Sequence, residues 1–139
     1  MEETIFIASD HAGFELKKQI LNSIKNNLVD LGVDNKNSAD YPDYAKKIVS
    51  KINSTKNSKG ILICGSGIGM SIVANRHKNV RAALCHSSKS TILSRKHNNA
   101  NVIALGARLT TKNVALKYID IFIKTDFKGR RHLRRVKKI

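Results

Sequence analysis

The sequence predicts an α/β fold built on a parallel sheet, and three observations carry that prediction. Short β-rich apolar runs alternate along the chain with stretches of helical apolar spacing, the pattern of repeated strand–helix units. One central run, Gly60–Cys64 (GILIC), is continuously apolar, as a parallel strand buried on both faces requires. Clusters of glycine and polar residues follow the strands, and in such sheets ligands bind beyond the strands' carboxyl ends.

Thr4–Ser9 (TIFIAS) reads as the first strand. Phe14–Asn27 follows with Leu16, Ile20, Leu21 and Ile24 on one helical face. Leu28–Leu31 is a short second strand stopped by Gly32, and Asn35–Asp40 is a polar loop. Pro42 opens a helix at its first turn, with Tyr44, Ile48, Val49 and Ile52 inward. After the strand Gly60–Cys64, Ile68–His77 reads as a helix, Arg81–His86 as a strand and Ser90–Asn98 as a helix. Val102–Leu105 is the last strand, ending at Gly106. Lys112–Lys124 is a helix with Val114, Tyr118, Ile121 and Phe122 inward. Gly129 breaks it, and Arg130–Lys138 forms a short basic terminal helix. About five strands fit this length, joined by right-handed crossovers.

The 139 residues suit one domain, 1–139, and 41% hydrophobic content suffices for one core. With no Trp and few aromatics, aliphatic side chains fill it. No apolar run approaches the roughly 18 residues of a membrane span, and Met-Glu-Glu is not the basic start of a signal peptide. The expected location is the cytoplasm. There Cys64 and Cys85, without any CxxC, are free thiols and not a zinc or redox pair. The formal net charge of +16 raises nucleic-acid binding as an alternative of a different class. Lys is spread through the whole chain, however, and only Lys124–Lys138 concentrates the charge. A solvated basic surface is the simpler account.

The chemistry sits at the strand ends. Gly65, Gly67 and Gly69 let the backbone turn tightly and approach a ligand, and their amides open a helix, a ready anion site. A ligand-free strand–helix turn is the bland alternative. The pattern is GxGxG in mid-chain, which is not the dinucleotide fingerprint. Gly69-Met70-Ser71 lacks the Lys of a P-loop, and Met70 stands where a cysteine phosphatase needs Arg. What remains is the Cys64 thiol beside amide donors, with the helix N-terminus favouring thiolate. Such a pair abstracts a proton next to a carbonyl and stabilises the enediolate, each aimed donor contributing roughly 3 kcal/mol. Asp10-His11 lies on the same rim, although the acid alone can be a helix cap. His97-Asn98 reads equally as a helix C-terminal charge with an Asn cap. In the tail, Arg131 and Arg135 share a face, and so do Arg130 and Arg134. Spacing does not choose between them, nor between either and a surface cluster.

Six stretches carry a resemblance. They are Ser9–Phe14 (SDHAGF), Asp40–Ala45 (DYPDYA), Cys64–Gly69 (CGSGIG), Ser94–Asn98 (SRKHN), Ala104–Arg108 (ALGAR) and the tail from Gly129 to Val136. In this order, over nearly the whole chain, they resemble the type B ribose-5-phosphate isomerases, within a wider family of galactose- and allose-phosphate isomerases.

The resemblance implies a three-layer, Rossmann-like fold with a five-stranded parallel sheet and a C-terminal helix. It implies interconversion of ribose 5-phosphate and ribulose 5-phosphate through an enediol, with neither metal nor cofactor. A hexose 6-phosphate substrate (allose or galactose) is the alternative. Cys64 matches the base, the 65–69 loop (Gly65, Gly67, Ile68 and Gly69) the enediolate hole, and Ser66 the hydroxyl that assists proton transfer at oxygen. His97 with Asp10 matches the pair that opens the furanose ring, and Tyr41 and Asn98 match sugar contacts. Arg131 and Arg135 align with the family's tail arginines and, with His11 and Arg108, surround the phosphate. The resemblance also implies a homodimer with shared sites, or a tetramer of such dimers, with Arg108, His97 and Asn98 reaching the other subunit's site. Three features depart from the family pattern: Asn99 where many relatives carry Asp, a Leu31–Ser38 loop without Gly-Thr, and a short tail.

Overall fold

The chain is described by a computed structural model covering residues 2–24 and 27–139. Three parallel strands form its spine: β1 (Thr4–Ser9), β3 (Ser58–Cys64) and β5 (Val102–Gly106). The short strands β2 (Leu28–Asp30) and β4 (Ala82–Leu84) close the edges, giving the order β2-β1-β3-β5-β4 with every pair parallel.

Alternation along each central strand feeds two cores, as the period of two demands. Ile5 and Ile7 of β1, Ile61 and Ile63 of β3, and Ile103 and Leu105 of β5 point to one face. There they meet α1 (Phe14–Ser23) through Leu16 and Ile20, and α5 (Lys112–Lys124) through Ala115, Ile119 and Phe122. Phe6, Ala8, Leu62 and Cys64 point to the other face. They pack on α2 (Tyr41–Ser54) through Ala45, Ile48 and Val49, and on α3 (Ile68–Asn75) through Met70 and Ala74. Burial of each such aliphatic side chain contributes about 1.5–3 kcal/mol. α4 (Ser88–Lys96) is capped by Ser87, whose Oγ accepts the Ser90 amide at 3.0 Å. α6 (Arg131–Val136) ends the chain.

The three-layer α/β fold with its five-stranded parallel sheet and C-terminal helix is as expected. Several boundaries differ. The first helix ends at Ser23, and residues 25 and 26 of the expected span lie outside the described residues. β3 begins two residues early because Ser58 and Lys59 pair with Thr4 and Ile5. β4 keeps three residues, since the Arg81 amide turns to Asn101 Oδ1 at 2.8 Å. α5 buries Ala115, Ile119 and Phe122, while Val114 is exposed. A small alanine marks the true inner face, and an apolar count overlooks it. Arg130, at φ +52, leaves the right-handed region, so α6 starts one residue later than expected.

Candidate active site

The chain order reverses between β1 and β3, because β1 is continued by β2 on one side and flanked by β3 on the other. A crevice opens at such a point beyond the strands' carboxyl ends. Cys64 ends β3 there and is buried. Asp10 follows β1, and its amide donates to Ile63 O at 3.2 Å, tying the two strand ends together. Asp10 Oδ1 accepts the Gly13 amide at 3.1 Å. Its carboxylate thus caps the turn into α1 and also lines the cavity with Cys64.

The loop after Cys64 takes its shape from glycine. Gly67 has φ +79, and a Cβ there would meet Leu84 Cδ1 at 2.7 Å and the Leu105 carbonyl carbon at 2.9 Å. This conformation turns the Gly67 amide onto Cys64 Sγ at 3.1 Å. The Ile68 amide donates to Ser66 Oγ at 3.2 Å. The Gly69 and Met70 amides, in the first turn of α3, have no carbonyl one turn earlier in the helix. They face the helix end where negative charge is favoured.

Two side chains close over the loop. The Tyr41 ring lies where a Cβ on Gly69 would be, 2.5 Å from its Cε1, and the Arg108 guanidinium lies over Gly65, 2.7 Å from such a Cβ. Together with Asp10, Cys64 and Ser66 they line a cavity of about 580 Å³, whose apolar wall is Ile68, Ile72 and Leu109. Arg108, expected to reach another subunit's site, is exposed and lines its own chain's cavity. Strand register explains this. Cys64 pairs with Gly106, the Ala107 amide donates to Cys64 O at 2.8 Å, and the Arg108 amide to Gly65 O at 2.9 Å. His11 is exposed on the same rim, its Nδ1 accepting the Ala39 amide at 3.0 Å.

The remaining expected residues lie elsewhere. α4 runs back from the carboxyl end of the sheet, so its C-cap His97 and the exposed Asn98 reach the opposite edge, where β5 begins. Val102 pairs with Gly60, and Cys64 is four residues further along β3, roughly 13 Å at strand rise. The tail is tied to that same edge by the Lys128 amide, which donates to Lys96 O at 3.1 Å. Arg131 and Arg135 are thus grouped with His97 and not with Cys64. The expected site residues therefore fall into two groups at opposite ends of the sheet.

His132 is a residue the sequence reading missed. It stacks on His97 with ring centroids 4.2 Å apart and 13° between planes. It is buried, with no hydrogen bond to Nε2 among the described residues. Burial, then the nearby His97, Arg131, Arg135 and Lys128, push its pKa below the usual histidine value. A histidine beside Arg131 was the available signal, but no spacing rule links it to a residue 35 positions earlier. Among the described residues, no group of three or more His, Cys, Asp or Glu is placed to hold a metal, and no helix is long and apolar enough to cross a membrane.

Fold and strand-end cavity place the chain among the open-sheet α/β enzymes that bind small anionic molecules at a sheet reversal. It belongs to the ribose/galactose isomerase family, whose model matches residues 5–139. A probable ribose-5-phosphate isomerase B of Mycoplasma genitalium is 46% identical, over 100% of this chain and 95% of that protein. A crystal structure of a ribose 5-phosphate isomerase from Thermotoga maritima superposes with a TM-score of 0.95 at 46% identity, covering 99% of this chain and 97% of that one. The Mycoplasma genitalium ribose-5-phosphate isomerase B solved with bound ribulose-5-phosphate gives 0.92 at 44% identity, covering 99% and 94%.

Proposed function

We propose that this chain interconverts D-ribose 5-phosphate and D-ribulose 5-phosphate through an enediolate, as one catalytic domain that works in a homodimer. The observation that carries the reading is Cys64 Sγ, set at the reversal point with the Gly67 amide on it and beside a cavity into which Asp10, Ser66 and Arg108 also face.

In the aldose-to-ketose direction, the Cys64 thiolate takes the proton from C2. The C2–H electron pair moves into the C1–C2 bond, and charge collects on the C1 oxygen. The amides at the start of α3 face that oxyanion, and the Ser66 hydroxyl moves a proton between the C1 and C2 oxygens. The Cys64 thiol then returns its proton to C1. Tyr41 and Asn98 contact the sugar, and Asp10 with His97 opens the furanose ring. His11, Arg108, Arg131 and Arg135 surround the phosphate. The sheet separates Cys64 from His97, so a second copy supplies His97, Asn98 and the tail arginines to each Cys64 cavity. A two-fold dimer completes both sites in this way.

Turnover of ribose 5-phosphate, allose 6-phosphate and galactose 6-phosphate by the purified protein tests the reading. The account expects the pentose phosphate to have the highest kcat/KM. A preference for either hexose phosphate overturns the substrate assignment, and inactivity on all three overturns the isomerase reading.

A further inference from the structure

A second cavity, of about 570 Å³, opens at the amino-terminal edge of the sheet. It shares no residue with the Cys64 cavity, and none of its lining has a part in the proposed reaction. Its wall is polar throughout except for Ile52, and it gathers cations: Lys56, Lys59, Arg81 and Arg95.

Arg95 is 6% exposed, yet among the described residues every hydrogen bond of its guanidinium goes to a neutral oxygen. Its Nε donates to Thr125 O at 2.9 Å, and its Nη1 to Asn99 Oδ1 at 3.0 Å and Ala100 O at 2.6 Å. The Arg81 Nε donates to Asn99 O at 2.8 Å, another neutral acceptor. The one carboxylate in the wall, Glu3, is engaged by Lys59. Asp126 acts on Arg95 from outside the wall. The C-terminal ends of α2 and α4 point at this edge and offer about half a negative charge each. Lys56 is exposed and solvated, and Lys59 is paired with Glu3, which leaves the buried Arg95 and the half-buried Arg81 without a bonded carboxylate among the described residues. A buried charge is costly unless it is paired, so the two arginines favour an anion in the cavity.

We propose that this cavity is a second anion site, which takes a phosphate-bearing small molecule on Arg81 and Arg95 at the sheet edge opposite Cys64. Among the described residues the Arg81 guanidinium bonds only through Nε, so its two Nη groups form a fork that suits a tetrahedral oxyanion, while Arg95, with Nε and Nη1 committed, adds its Nη2. The Asn101 and Asn99 side chains are already committed to the Arg81 amide and to Arg95, so they hold the two arginines in place. Inorganic phosphate and a phosphate monoester share this chemistry, and the cavity is larger than phosphate alone needs.

Amide NMR titration of the full-length protein tests the site, with inorganic phosphate and with adenosine monophosphate as probes. The expected result is a saturable shift of signals from residues 79–81 and 95–101, with a midpoint separate from that of residues 64–69. Tighter binding of the monoester marks an esterified ligand, and equal binding marks free phosphate. Asn99→Asp places a carboxylate 3.0 Å from the Arg95 Nη1 position. Aspartate also tolerates the φ of +48 found there. This variant is expected to bind at least tenfold more weakly while keeping the wild-type spectrum elsewhere. Should it fail to fold, Arg81→Gln is expected to give the same loss. Signals at 79–81 and 95–101 that stay still, or drift linearly to the highest concentration, overturn the proposal. So does a folded variant that binds as tightly as wild type.

Discussion

The Gly67 amide donates to Cys64 Sγ at 3.1 Å, back across the three-residue turn that joins β3 to α3. Two requirements meet at Gly67. Its φ of +79 lies where side chains are disfavoured, and the space a Cβ needs is filled by Leu84 and the backbone of Leu105 and Gly106. Gly67→Ala should therefore cost about 1–3 kcal/mol of stability. It should also lower kcat more than KM, because the amide moves off the sulfur. Urea denaturation and steady-state kinetics check both. A variant with unchanged kcat would detach the turn from catalysis.

Arg108 lies over Gly65 in its own chain's cavity. In the proposed role of phosphate ligand it would contribute a charge-assisted bond of about 1.5–3 kcal/mol. Arg108→Ala should raise KM roughly ten- to a hundredfold with a smaller effect on kcat. Gly65→Ala, which pushes the guanidinium aside, should change KM in the same direction. A fall in kcat at constant KM would instead assign Arg108 to the transition state.

The separation of Cys64 and His97 along the sheet permits a mixing test. Cys64→Ala and His97→Asn chains should each be inactive on ribose 5-phosphate. Refolded together at equal amounts, half the dimers are mixed, and each mixed dimer has one intact site. Activity should return to about one quarter of wild type. Sites formed within one chain predict no recovery.

Much of this arrangement was legible in the sequence. The rule that function follows strand ends located Asp10, Cys64 and Arg108, because parallel register brings those ends together whatever the loops do. The continuous apolar run GILIC likewise announced a sheet covered on both faces. Features set by packing between distant segments were hidden. Lys17 reads as a solvated helix position, yet it is 1% exposed and bonds Asp30 and Val33 O, both at 2.7 Å. The inner face of α5 turns on Ala115, which hydrophobic spacing does not weigh. The stack of His97 on His132 needs the path of the tail, and no local pattern encodes that path.

That stack carries a pH dependence. His132 has its pKa below the usual histidine value in the folded chain, first through burial and then through His97 and the surrounding cations. As pH falls through the ordinary histidine range, the unfolded chain binds a proton that the folded chain refuses. Stability is therefore full above that range and declines on acidification, down to the folded pKa. Denaturation midpoints between pH 5 and pH 8 (about the window in which histidine titrates) should fall toward acid in the wild type. They should fall less in His132→Gln. Identical slopes would remove His132 as the cause.

The proton transfer assigned to Cys64 can be observed directly. The protein is incubated with ribulose 5-phosphate in deuterium oxide, and NMR follows both deuterium entry at carbon and formation of ribose 5-phosphate. The account predicts that the wild-type protein catalyses both, and that a folded Cys64→Ala variant, which keeps the Gly65–Gly69 loop and the phosphate ligands, catalyses neither. Exchange and turnover that persist in that variant would contradict the assignment of Cys64 as the base.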